Sequence, residues 1–253
     1  MSEEMMKRII SYWTHRADSY SKLNREEFGW GMNDRWLAAL ESEFPDKPRE
    51  EIRVLDIGTG PGFFSILLSQ AGYFPHAADC TEEMLKEARK NAGIYEERIT
   101  FGQMNADALQ YEDETFDIVV NRNLTWNLQN PCRCYEEWKR VLKPEGKLIV
   151  FDANWYHYLF DEAAKEAYDR DREAAAREAI IDFNTGDQFE VMEEIAMELP
   201  MSKKPRPIWD REKLLSLGYA SVDICEDIWK AVWTDAERIN YASTPMFRIV
   251  ATK

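Results

Sequence analysis

An α/β fold built on a doubly wound, mostly parallel sheet is what the patterning of this chain predicts, on three observations. Val54-Leu55-Asp56-Ile57 is a short apolar run that stops at Gly58-Thr59-Gly60-Pro61-Gly62 and restarts as the helical Phe63-Phe64-Ser65-Ile66-Leu67-Leu68. Short apolar runs then alternate with helical stretches as far as residue 152, the rhythm of parallel strands joined by crossover helices. The chain ends differently, as helix, strand and strand, which suits an antiparallel last strand.

The elements follow in order. Tyr73 to Ala78 reads as the second strand and ends in Asp79. Thr81 precedes Glu82-Glu83-Met84-Leu85, a helix start with a threonine cap and early acids that suit the helix dipole. Ile99 to Met104 is the third strand and leads into Asn105-Ala106-Asp107-Ala108-Leu109. Phe116 to Asn121 is the fourth, and Gly146 to Asp152 is the fifth, after Arg140-Val141-Leu142-Lys143-Pro144-Glu145. Glu162 to Ile181 is dense in Ala, Glu and Arg and predicts a helix. Asp187 to Leu199 predicts another, and Ser202 to Pro207 is a proline-punctuated connector. Asp210 is expected to cap a helix reaching Leu217, with Gly218 ending it. Ser221 to Ile228 and Phe247 to Thr252 are the closing strands. The expected organisation is a helical cap over 1–45, an α/β core over 46–154, a helical lid insertion over 155–205, and the rest of the core over 206–253.

The glycine turn carries the first functional signal. Glycines let the backbone approach a ligand closely, and the following helix points unpaired N–H groups at it. A dinucleotide fingerprint is Gly-x-Gly-x-x-Gly, but here the spacing is Gly-x-Gly-x-Gly and Phe63 fills the position of the third glycine. Asp56 opens the turn with a carboxylate that would repel a pyrophosphate and suits a cationic ligand. Asp79, about twenty residues on, stands where a ribose diol is gripped by two hydrogen bonds.

Together these residues resemble the class I S-adenosylmethionine-dependent methyltransferases. Asp-x-Gly-x-Gly-x-Gly, Asp79 to Leu85, Asn105 to Leu109, Phe116-Asp117 and Arg140 to Gly146 occur in family order and spacing. The nearest likeness is to the small-molecule branch that includes the ubiquinone/menaquinone C-methyltransferases. It covers roughly residues 50–155, with a fainter echo at Tyr12-Trp13 and Arg16 to Tyr20. Glu145, where the family usually has glycine, and Cys80, where it often has an apolar residue, depart from the pattern. The resemblance implies a Rossmann-like, seven-stranded sheet and S-adenosyl-L-methionine as cofactor, with S-adenosyl-L-homocysteine as product. Gly58, Thr59, Gly60 and Gly62 would line its methionine and ribose part, and Asp56 would help place the ammonium. Asp79 would hold the ribose, with Cys80 beside it, and Met84 would lie on an adenine face or in the core. Asn105 and Ala106 would read the adenine edge, with Asp107 as a competing contact. Asn121, Arg122 and, from the first helix, Tyr20 would complete the pocket.

Composition limits the rest. The chain has 253 residues, 45% of them apolar, enough for one α/β domain with additions. The net charge of −15 and the absence of Lys/Arg runs disfavour a nucleic-acid substrate or a membrane surface. No stretch approaches the roughly 20 apolar residues of a spanning helix. Met1-Ser2-Glu3-Glu4 lacks a signal pattern, and Cys80, Cys132, Cys134 and Cys225 lack a disulfide or zinc spacing, so a cytoplasmic protein without a metal is expected. A monomer or homodimer acting on a small neutral or cationic molecule remains.

Strands of such sheets present ligands at their carboxyl ends. The first helix and the 155–205 insertion are therefore the expected roof, and both are aromatic. Tyr12, Trp13, Trp126, Asn154, Trp155 and Tyr158 are the candidate acceptor pocket, with Tyr156 and Phe160 nearby. Methyl transfer from a sulfonium needs aim and water exclusion, and a base only if the nucleophile arrives protonated. His15, Asp152 and His157 are the candidate bases, with Asn154 beside them. Two other readings share the fold: an aminopropyltransferase-like enzyme, whose acidic motif after the fourth strand is replaced here by Asn121-Arg122-Asn123, and a non-catalytic S-adenosylmethionine-binding protein.

Overall fold

A computed structural model describes residues 3–183 and 188–253. Helix α1 (Glu3–Phe28) and α2 (Asn33–Glu41) precede β1 (Val54–Ile57), α3 (Phe63–Gln70), β2 (His76–Asp79), α4 (Glu82–Ala92) and β3 (Thr100–Gln103). Then come β4 (Phe116–Arg122), α5 (Pro131–Val141), β5 (Leu142–Asp152), α6 (Glu162–Arg177), α7 (Phe189–Glu198) and α8 (Ile208–Ser216). The chain closes with β6 (Ser221–Cys225), α9 (Trp229–Val232), α10 (Asp235–Asn240) and β7 (Phe247–Thr252).

The strands form one seven-stranded sheet in the order β3-β2-β1-β4-β5-β7-β6. Only β7 runs against its neighbours: it is antiparallel to both β5 and β6, while the other pairs are parallel. The Rossmann-like sheet with an antiparallel last strand is the fold of this chain. Its order reverses between β1 and β4, whose registers join Asp56 to Val120. The crevice at that switch point is where open α/β sheets hold ligands.

Both faces of the sheet are covered, which is why its central strands read as unbroken apolar runs. One face packs Leu55, Val119 and Val150 on Tyr135 and Trp138 of α5. The other packs Val54, Ile118 and Val120 on Trp36, Phe63 and Phe64. A separate apolar cluster joins Met5, Ile9 and Tyr12 of α1 to Met192, Ile195 and Leu199 around α7, with Trp126 between them. An ion pair of Arg8 with Glu198 at 2.6 Å ties the same two helices.

Several expectations are corrected. The second strand starts at His76, because Tyr73 is in the preceding loop with its hydroxyl on Glu41 at 2.8 Å. Strand β6 stops at Cys225, short of Ile228. Asp210 does not cap α8 but lies inside it, buried against Arg206. Thr81 precedes α4 without a side-chain capping bond, its own amide held by Asp79 instead. Helix α7 begins at Phe189, and the Asp187 expected to start it lies outside the described residues. Glu145 has a left-handed φ of +62°, a backbone conformation that favours glycine.

Candidate active site

The turn after β1 is built around Asp56. Its buried Oδ2 accepts hydrogen bonds from the Thr59 hydroxyl at 2.6 Å, the Ser65 amide at 3.1 Å and the Ser65 hydroxyl at 2.7 Å. Burial raises its pKa against those bonds. Gly58 has φ +64°, and a Cβ there would stand 2.7 Å from Leu124. Glycine is therefore favoured by conformation, and any side chain here would also have to displace the Leu124 side chain.

Asp79 sits at the tip of β2 and reaches back to this turn. Its Oδ2 accepts from the Gly60 amide at 3.0 Å and its Oδ1 from the Thr81 amide at 2.9 Å. Burial pushes its pKa up to about 6 in spite of both amides. Burial likewise pushes the neighbouring Cys80 thiol up to about 12, so it is no nucleophile at neutral pH.

Three adjoining cavities meet over these strand ends. The first, of about 110 Å³, is walled by Asp79, Cys80, Met84, Asn105, Ala106 and Asp107 on one side. Gly58, Gly60, Tyr20, Trp13 and Arg122 close the other, and the loop from Asn123 to Asn130 supplies more of its wall. A small third cavity continues past Tyr20, Gly58 and Gly60 to Asp56, Thr59 and Asn24. The second cavity, about 170 Å³, opens on the far side of Trp13, Tyr20 and Asn123. Trp126, Trp155, Tyr156, Tyr158, Phe189 and Tyr241 form the remainder of its wall.

Most of the sequence-predicted residues therefore come together. Gly62 and Asn121 stand outside the walls: Gly62 packs on Ile66 and Ala88, and Asn121 is fully buried in β4. Tyr12 belongs to the α1–α7 apolar cluster, and Asn154 donates to the Arg206 carbonyl at 3.0 Å. The three candidate bases lie in none of these walls. His15 is on an exposed face of α1, and His157 Nδ1 is 3.2 Å from the Ser202 carbonyl. Asp152 is buried and engaged by Thr125, the Trp126 amide, Trp155 and Arg206. Its role is that of an anchor for the loops after β4 and β5.

Other wall residues were not foreseen. Asn123 holds a left-handed φ of +55° at the end of β4, and its Oδ1 is buried with no partner among the described residues. Asn127 Oδ1 and Gln129 Nε2, in the same loop, are equally unpartnered. Buried polar atoms of this kind need a partner, which water or the polar edge of a bound molecule can supply. A non-glycine residue held left-handed at a strand tip is the signal that sequence alone hides. Arg122 is also more than a wall residue. It forms a bidentate pair with Glu27 of α1 and lies 3.9 Å over the Phe63 ring, pinning α1 across the strand ends.

Comparison with known proteins decides what kind of site this is. A methyltransferase-domain family model matches residues 55–150, which include the glycine turn, Asp79 and the β4 tip. Residues 55–150 thus match a methyltransferase domain. The ubiquinone/menaquinone biosynthesis C-methyltransferase UbiE of Roseobacter denitrificans is 30% identical over 167 residues, 64% of each chain. The match therefore spans just under two thirds of that relative's length. A methyltransferase from Aquifex aeolicus shares the fold with a TM-score of 0.54 and 19% identity, over 85% of this chain and 87% of that one. Phosphoethanolamine N-methyltransferase 2 of Haemonchus contortus, solved with S-adenosyl-L-methionine, aligns with a TM-score of 0.60 and 16% identity, over 88% of this chain and 52% of that one. The methyltransferase relatives point to S-adenosyl-L-methionine as cofactor, and the first and third cavities share Tyr20, Gly58, Gly60 and Arg122, with Asp79 lining the first and Asp56 the third.

Proposed function

We propose that the protein is an S-adenosyl-L-methionine-dependent methyltransferase that acts on a small-molecule acceptor and releases S-adenosyl-L-homocysteine. The observation that carries this reading is that three cavities share Tyr20 as a wall, over the switch point of the sheet. Relatives named for ubiquinone/menaquinone biosynthesis and for phosphoethanolamine methylation support a small molecule as acceptor. Four cysteines without a disulfide support a reducing, cytoplasmic setting.

In this reading Asp79 accepts the ribose hydroxyls, while Met84 and Ala106 flank the adenine and Asn105 and Asp107 border its edge. Gly58, Thr59 and Gly60 cradle the methionine end, with Tyr20 laid across it from α1. Arg122 keeps Glu27 as its partner, so its part is to hold α1 in place. When bound, the cofactor supplies a methyl group already made electrophilic by its sulfonium. The chain's own work is to aim a nucleophile along one line and to keep water out. Residues 1–45 and 155–205 would act together as the cap and lid that do so, since α1 and α7 share one apolar cluster.

Isothermal titration of S-adenosyl-L-homocysteine and S-adenosyl-L-methionine into the purified protein tests this directly. One-site binding of both is expected; heats indistinguishable from dilution would end the proposal.

A further inference from the structure

The second cavity has a wall of one chemical character. Trp13, Trp126, Trp155, Tyr156, Tyr158 and Tyr241 present rings, Tyr20 and Phe189 add two more, and Asn123 is the one amide. None of these nine residues is charged. The rings brace one another: Trp126 and Tyr156 lie 4.9 Å apart between centroids, and Trp155 and Tyr241 lie 5.1 Å apart.

Three kinds of acceptor can be weighed against this wall. An anion would leave water for a cavity without a cationic side chain, an uncompensated cost. Arg122, in the wall of the first cavity, already has Glu27 as counter-ion. A phenol or alcohol must lose a proton to become nucleophilic, and among the described residues the wall holds no carboxylate or imidazole to take it. Burial keeps the hydroxyls of Tyr20, Tyr156, Tyr158 and Tyr241 protonated beyond their ordinary range, and Glu193 accepts the Tyr158 hydroxyl at 2.7 Å. An amine meets these limits more easily: its ammonium form gives up a proton to bulk water before entry, the neutral nitrogen then attacks with its lone pair, and the positive charge it acquires is what aromatic faces attract.

Resting on the methyltransferase reading above, we propose that the acceptor is a compact amine, methylated on nitrogen, whose cationic product is held by the ring faces of the second cavity. The nitrogen lone pair forms the new C–N bond as the methyl–sulfur bond breaks, that bonding pair stays on sulfur, and the charge passes to nitrogen. A primary or secondary amine sheds its extra proton to water on release; a tertiary amine leaves as a quaternary ammonium. The volume of about 170 Å³ resembles that of cavities that accept a benzene-sized body.

Three probes of similar shape test the proposal on protein saturated with S-adenosyl-L-homocysteine: benzyltrimethylammonium, its neutral carbon analogue neopentylbenzene, and phenylacetate. Titration is expected to show the cation binding at least about tenfold more tightly than either of the others. Tyr156→Leu should abolish that preference, and Tyr156→Phe, which keeps the ring face, should retain it. Equal or tighter binding of the neutral or anionic probe, or no binding of the cation, overturns the amine assignment. Should Tyr156→Leu fail to fold, the wild-type comparison and Tyr156→Phe still decide. Failure of S-adenosyl-L-homocysteine to bind in the first titration would remove the methyltransferase reading itself, a different result.

Discussion

Asp79 allows the proposed cofactor geometry to be tested quantitatively. Each of its oxygens accepts one backbone amide, Gly60 on one and Thr81 on the other, leaving further lone pairs for the cavity. Asp79→Ala removes the charged acceptor of a ribose diol. Hydrogen bonds to a charged group contribute about 1.5–3 kcal/mol, so S-adenosyl-L-homocysteine should bind roughly 10- to 150-fold more weakly. The pH dependence supplies a second signature. The folded pKa of about 6 lies above the roughly 3.9 of an exposed aspartate, so folding favours the protonated form. The corresponding contribution to stability is complete below about pH 4 and is lost as pH rises through 6. Cofactor affinity runs the opposite way, because the ionised carboxylate is the better acceptor for the diol. At pH 5 about one molecule in eleven carries the charge, so affinity should be roughly tenfold weaker than at pH 8. Titration calorimetry from pH 5 to 8 and urea unfolding over pH 4 to 7 read the two trends, and Asp79→Asn should flatten both. A wild-type affinity that is flat with pH, together with unchanged binding by Asp79→Ala, would refute the placement of the ribose.

Two further predictions concern stability. Arg206 is buried between Asp152 and Asp210, at 3.0 and 2.9 Å, so Arg206→Met leaves two carboxylates without a counter-ion and should cost about 3–5 kcal/mol in urea unfolding. A loss below about 1 kcal/mol would mean that the network carries little weight. Glu145→Gly relieves an exposed left-handed residue whose strain of about 1–2 kcal/mol outweighs the extra chain entropy of glycine, so a gain of about 0.5–1 kcal/mol is expected. A lowered melting temperature would contradict that sign.

What could be read from the chain divides along physical lines. The parallel sheet, its antiparallel last strand and the glycine turn were legible because short apolar runs and glycine spacing are local properties. Asp79 was legible for the same reason, as a polar residue ending an apolar strand. Asp210 was misread as a helix cap, because a lone aspartate at the start of a helix carries that local signature, and Asp152, expected as a candidate base, stands in a buried ion pair. Their shared partner, Arg206, lies 54 residues from Asp152 in sequence, and the pairing exists only once the segment leading into α8 meets the end of β5 and the loop after β4. Glu27 was hidden similarly: an acid near the end of a 26-residue helix looks solvated until Arg122 of β4 meets it.

The same division explains why the cofactor can be named from relatives and the acceptor cannot. Asp56, Gly58, Asp79, Met84 and Asn105 all fall within residues 55–150, the segment matched by the family model. In the second cavity only Asn123 and Trp126 fall there. Its other walls come from α1, the loop after β5, the start of α7 and the segment before β7. Of these elements, α1 and α7 are joined by apolar contacts and the Arg8–Glu198 pair, and the Glu27–Arg122 pair ties α1 to the sheet. In the proposed reading, then, the acceptor would be contacted mostly by residues outside the segment that the family model matches.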